Sequence, residues 1–268
     1  MLHLFPLTAG RLVRLVLPVL ALLLFGTWLH RSVTCSPPTA LSGSSSPTVD
    51  GVFALHAILD RLAACAGNGM GHSGNLPDQT RLLFEMVKRE LPSPSPGNGL
   101  VFCEIGFNVG HSASTFLSAA AARGAKVKSY HVFDLDANPS VRAGYNYLRR
   151  AFPATAFAFV VGDSTVSLPV WSGGPDVAAC DLFHIDGGHA GGVPAIDWAN
   201  VRRVIRKDGK SLVVFDDCGC QPGSEWWCTE PEEVFDSAVA SGDIIPLSKG
   251  EISLPSKGTC AGRGKKKS

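Results

Sequence analysis

The stretch from Leu100 to Leu117, LVFCEIGFNVGHSASTFL, constrains the fold of this chain more than any other. An apolar run rich in strand formers passes through Glu104-Ile105-Gly106-Phe107-Asn108-Val109-Gly110 into small residues that favour a helix. That order predicts a buried strand, a glycine turn and a helix N-terminus. Gly106 opens backbone angles closed to other residues, and Gly110 lets the chain approach a ligand or its own strand closely. The free N–H groups of the new helix then face whatever lies above the strand end.

Similar units follow. Ser129 to Phe133 reads as a strand ending in Asp134-Leu135-Asp136, and Phe157 to Val161 as one closed by Gly162-Asp163-Ser164. Asp181 to Ile185 leads into Asp186-Gly187-Gly188-His189, and Ser211 to Phe215, after the turn Lys207 to Lys210, into Asp216-Asp217. Helical stretches separate these strands, which predicts an α/β fold with a doubly wound, mostly parallel sheet. Ile244 to Leu247 and Glu251 to Leu254 are expected to pair as an antiparallel hairpin through Ser248-Lys249-Gly250. Two helices, Asp50 to Cys65 and about Pro77 to Leu91, precede the first strand. Open α/β sheets bind ligands outside the carboxyl ends of their strands. Glu104, Asp134, Asp163, Asp186, Asp216 and Asp217 all fall there. Gathering carboxylates on one edge costs repulsion unless a ligand or cation offsets it.

The E-x-G-x-x-x-G spacing of Glu104, Gly106 and Gly110 resembles motif I of class I S-adenosylmethionine-dependent methyltransferases. The likeness runs over roughly Pro77 to Leu254 and implies a seven-stranded Rossmann-like sheet. It further implies that Glu104, Gly106 and Gly110 wrap the donor's methionine part. Asp134 would take the ribose hydroxyls, with Asp136 as the alternative and helix capping as that residue's plainer role. Asp163 would meet the adenine amine, or serve only as a turn residue. The I-D-G-x-H after strand four and D-D after strand five resemble the cation-dependent O-methyltransferases of the catechol, caffeoyl-coenzyme A and sugar type. By that resemblance Asp186, Asp216 and Asp217 would hold a divalent cation, Mg²⁺ by their all-oxygen chemistry. His189 stands where the catechol-type enzymes carry a lysine base, and would accept the hydroxyl proton or be a locally bonded helix-start residue. Two departures stand out: Asp216-Asp217 replaces an Asp-Asn pair, and Ala190-Gly191-Gly192 follows the histidine in place of a tyrosine. His111 and Ser112 would contact the cofactor or cap the helix. Trp226-Trp227 would stack on an acceptor ring or pack their own loop.

Charge excludes one substrate class. All acidic residues lie between Asp50 and Glu251, where 16 basic residues face 23 acidic ones. A mildly acidic body argues against nucleic acid as a partner. Before it, Leu15 to Leu29 is apolar and free of charge, with Arg11 and Arg14 ahead and His30-Arg31 behind. This predicts a transmembrane signal anchor over residues 12–31, a cytoplasmic N-terminus of residues 1–11 and a lumenal body in the endoplasmic reticulum or Golgi. A cleaved signal peptide, giving a secreted body, is the rival reading, and a buried core helix a third. The Ser/Pro-rich residues 32–49 read as a stalk, 50–260 as the catalytic domain and 261–268 as a basic tail. Eight cysteines are too scattered for a zinc module. Cys103 and Cys180 are expected to be buried small side chains, whereas Cys218, Cys220, Cys228 and Cys260 are plausible disulfide partners in an oxidising lumen.

These readings converge on an S-adenosylmethionine-dependent O-methyltransferase acting on a small molecule or glycan. A homodimer is an expected assembly, and two other functional readings stay open: a non-catalytic binding or scaffold protein of the same fold, and a nicotinamide-dependent oxidoreductase. The last is disfavoured by the missing third glycine of G-x-G-x-x-G.

Overall fold

The computed structural model describes residues 48–67, 76–93, 99–174, 179–206, 208–218, 226–247 and 258–264. In chain order these form α1 (Val49–Cys65), α2 (Pro77–Glu90), β1 (Leu100–Ile105), α3 (His111–Ala122), β2 (Val127–Asp134), α4 (Pro139–Ala151), β3 (Ala156–Val161) and α5 (Ser164–Ser172). There follow β4 (Leu182–Ile185), α6 (Val193–Val204), β5 (Ser211–Phe215), α7 (Thr229–Ala240), β6 (Ile244–Pro246) and β7 (Cys260–Gly264).

The seven strands make one sheet in the order β3-β2-β1-β4-β5-β7-β6. β1 to β5 run parallel, and β7 runs antiparallel to both β5 and β6. Alternate residues of the central strands enter two separate apolar layers. Leu100, Phe102, Tyr130, Val132, Leu212 and Val214 pack with α1 to α4, while Val101, Ile105, Phe133, Phe183, Val213 and Phe215 pack with α5 to α7. β1 is therefore buried along its whole length, which explains its unbroken apolar run. Each fully buried phenylalanine contributes about 2–3 kcal/mol of apolar transfer.

The small side chains of α3 have a purpose in this packing. All of its first ten residues are buried, because α1 and α2 lie over it on the side away from the sheet. Strand order reverses between β1 and β4, so the helices after these strands go to opposite faces and leave a crevice at their carboxyl ends.

Three expectations change. The second strand of the terminal hairpin is Cys260–Gly264, not Glu251 to Leu254, which lies outside the described residues. Its glycines explain the displacement: a methyl group on Gly262 would collide with Ile244, so β7 fits only as a thin strand between β5 and β6. The residues from Ala261 to Gly264, expected in a basic tail, thus belong to the sheet. Cys103 and Cys180, expected as separate buried thiols, form a disulfide. They are 77 residues apart in sequence, and only the adjacency of β1 and β4 brings them together. Cys218 bonds Cys260, and Cys228 is disulfide-bonded as well. The apolar segment over residues 12–31 lies outside the described residues. Among those described, no helix is long and apolar enough to cross a membrane.

Candidate active site

A cavity of about 520 Å³ opens above the carboxyl ends of β1, β2, β3 and β4. Gly106, Asp134, Asp163, Asp186 and His189 line it, with Asn108, Leu135 and Ser164. Residues from four separate units of the chain thus share one wall.

Gly106 sits at φ 78°, and a methyl group there would collide with the backbone carbonyl of Asp186. The turn after β1 therefore lies directly against the turn after β4, a contact only glycine permits. Gly110, at φ 96°, is not in the cavity wall. A methyl group on it would stand 2.6 Å from the Phe107 ring and 2.7 Å from Leu148, so its role is to let the turn fold beneath α4. Gly144 on α4 completes that contact, since it meets the backbone of Val109.

Asp134 is the organiser of the turn. Its Oδ2 accepts from the backbone N–H of Phe107 at 2.8 Å and of Asn108 at 3.1 Å, and its Oδ1 accepts from the N–H of Asp136 at 2.8 Å. Asp136 itself turns away at φ 57° and receives a hydrogen bond from Arg142 Nε at 2.7 Å. Between the two alternatives for the ribose site, Asp134 is the one in the cavity. Asp163 uses Oδ1 to accept from the Thr165 N–H and hydroxyl, which caps α5 and holds its pKa below the usual carboxylate value.

Glu104 is placed otherwise than expected. It is fully buried below the cavity, where it accepts from the Tyr130 hydroxyl at 2.8 Å, from the Ser112 hydroxyl, and pairs with His184 Nδ1 at 2.9 Å. It joins β1, β2, β4 and α3 at one point. Burial opposes charge on His184, but the hydrogen bond and charge of Glu104, with Asp186 and Asp216 nearby, raise its pKa to about 9. His111 likewise bonds within the protein, through Nε2 to Asp60 Oδ1 at 2.9 Å.

At the far side of the cavity His189 lies between two carboxylates. Its Nδ1 is 3.0 Å from Asp217 Oδ2 and its Nε2 is 3.6 Å from Asp186 Oδ1. Asp186, His189 and Asp217 bring ligand atoms within 4.8 Å of one another, a group able to hold a metal ion. Asp216 is outside this trio. Its Oδ1 accepts from Gln79 Nε2 at 2.9 Å and from the Thr259 hydroxyl at 3.3 Å, although its charge still reaches Asp186. Asp186 keeps 29 % of its side-chain surface at the cavity, yet loss of surrounding water and the facing Asp216 push its pKa to about 7. The His189 pKa is raised, chiefly by Asp186, against the effect of burial.

Two supports were not visible in the sequence. Glu230, on α7, accepts from the N–H groups of Gly191 and Gly192, both at 2.8 Å, and so anchors the loop behind His189. Gln79, on α2, fixes Asp216. Both act across more than thirty residues, a separation at which only the folded topology selects partners.

A family model described as a methyltransferase domain matches residues 103–218. No curated protein sequence matches the chain. Among solved structures, the chain is similar to an O-methyltransferase from Bacillus cereus in complex with SAH, at 14% identity and a TM-score of 0.55, covering 84% of this chain and 93% of that one. It is also similar to cofactor-bound Rv0187 from MTB, at 16% identity and a TM-score of 0.58, covering 80% and 91% respectively. At these identities the likeness concerns the fold, and it spans nearly the whole of both relatives. The cavity thus lies in the place that this fold reserves for a ligand, and the stretch similar to a methyltransferase domain supplies most of its wall.

Proposed function

We propose that the protein transfers a methyl group from S-adenosylmethionine to a hydroxyl of a small molecule or glycan, assisted by a divalent cation. The observation that carries this reading is the single cavity joining Gly106, Asp134 and Asp163 to Asp186 and His189. The first three suit a nucleoside with a sulfonium tail, and the last two suit a hydroxyl that must lose its proton.

Asp186 and Asp217 would hold the cation. Their mutual proximity across His189, with Asp216 adding negative charge, is an arrangement that a bound cation would relieve. A bound divalent cation would lower the pKa of a substrate hydroxyl beside it. His189 would then receive the proton. The flanking carboxylates favour the imidazolium that results, and Glu230 holds the loop that carries the ring. Methyl transfer is an in-line displacement, so positioning the oxygen matters as much as deprotonating it.

The apolar run from Leu15 to Leu29, with Arg11 and Arg14 before it, favours an anchored protein with a lumenal body. The disulfides Cys103–Cys180 and Cys218–Cys260 support that reading, because such bonds persist in oxidising compartments. Protease protection of the body in sealed microsomes checks it.

The decisive assay for the enzyme is a transfer screen with radiolabelled S-adenosylmethionine against extracts, run with and without chelator. Labelling that chelator removes and added Mg²⁺ restores is the expected result. Cofactor binding without transfer to any acceptor would indicate a binding protein instead. Labelling indifferent to chelator would assign the chemistry to His189 without a cation.

A further inference from the structure

Beneath the cavity, between α5 and α6, lies a carboxylate that the chemistry above does not use. Asp197, on α6, has no accessible surface, and neither of its oxygens has a hydrogen-bond partner. A buried carboxylate in that state opposes folding, so its presence calls for a compensating role.

Its surroundings point to the cavity. A methyl group built on Gly187 would stand 3.0 Å from Asp197 Oδ2 and 4.0 Å from Ser164 Oγ, and both Gly187 and Ser164 belong to the cavity wall. Burial raises the Asp197 pKa to about 6, the nearby Ser164 hydroxyl draws it down, and the charge of Asp163 adds a smaller upward push. Ser164 is thus within electrostatic reach of Asp197 without forming a hydrogen bond of good geometry. Asp163, the neighbouring candidate for the purine, already spends one oxygen on capping α5.

We propose that Asp197 is a positioning residue for base recognition: its carboxylate takes the Ser164 O–H, leaving Ser164 Oγ to accept from the exocyclic amine of the cofactor's adenine. This rests on the S-adenosylmethionine reading of the cavity. A serine hydroxyl ordinarily donates or accepts as its rotor turns. With its proton committed to a buried carboxylate it can only accept, and it selects a purine bearing an amine at position 6 over one bearing an oxygen.

Calorimetric titration of the full chain with S-adenosylhomocysteine and with its 6-oxo analogue, S-inosylhomocysteine, tests the pair. Wild type should prefer the adenosyl ligand. Asp197→Leu and Ser164→Ala should each reduce that preference about tenfold, and the double variant should reduce it no further, because the two act as one unit. Asp197→Asn, which retains an acceptor oxygen, should keep most of the preference. Asp197→Leu should melt no lower than wild type, since it removes an unpartnered buried charge. Equal weakening of both ligands, an unchanged ratio, or additive losses would overturn the proposal while leaving the cofactor reading intact. Absence of S-adenosylhomocysteine binding by wild type would overturn both. Should Asp197→Leu fail to fold, an unchanged ratio in Ser164→Ala suffices to reject the assignment.

Discussion

The buried pair of Glu104 and His184 shows how a residue outside the cavity wall can hold the turn that forms it. Glu104 receives three hydrogen bonds from three elements, so the turn after β1 is held from below. His184 is charged in the fold up to about pH 9, above the ordinary value near 6.5. A histidine with a raised folded pKa stabilises fully below the unfolded value, and that contribution is lost as pH rises through the folded value. Chemical denaturation between pH 6 and 10 should therefore show stability falling above about 6.5 by roughly 3 kcal/mol in total. His184→Leu should remove this dependence and cost roughly 3–5 kcal/mol, because it leaves Glu104 buried without its cation. On the cavity side, Asp134→Asn should weaken S-adenosylhomocysteine binding about 10–100-fold by titration calorimetry, the worth of a charge-assisted hydrogen bond. His189→Gln should lower transfer to any acceptor found by about 10²–10⁴-fold. Its wild-type pH–rate profile should rise through a limb above 6.5, in the direction of the raised His189 pKa.

At the scale of elements, the site depends on how closely its turns meet. The turn after β1 presses on the turn after β4 at Gly106, and α4 presses on it at Gly144. Gly106→Ala should cost roughly 2–4 kcal/mol in a thermal melt and abolish cofactor binding, since it combines a positive φ with a backbone collision. Much of this was legible in the sequence. Each strand ends in the acidic or glycine residue expected of it, because apolar runs and glycine turns are local signals. Contacts made across the fold were not. Glu104 stands in the motif with the right spacing, but that its carboxylate faces inward depends on Tyr130 and His184 from neighbouring strands. The partners of Asp216 come from Gln79 and Thr259, at opposite ends of the body, and the true position of β7 was hidden because Cys260–Gly264 is too rich in glycine to read as a strand.

For the molecule as a whole, the disulfides close loops of 77 and 42 residues around the sheet. Loss of the second by Cys218→Ser with Cys260→Ser should lower stability by roughly 2–4 kcal/mol in urea melts. It should also weaken binding of the proposed cation, because Cys218 adjoins Asp217. In intact-mass measurements on the denatured chain, Cys103, Cys180, Cys218 and Cys260 should take up an alkylating reagent only after reduction. The link from Gln79 through Asp216 to Thr259 carries a consequence for biosynthesis. A nascent chain can lay down β1 to β5 in order, yet the acidic rim has no final shape until residues 259–264 leave the ribosome and slide between two strands already made. The shape of the acidic rim therefore waits on the last strand of the sheet, whose Cys260 can bond Cys218 only once it is in place.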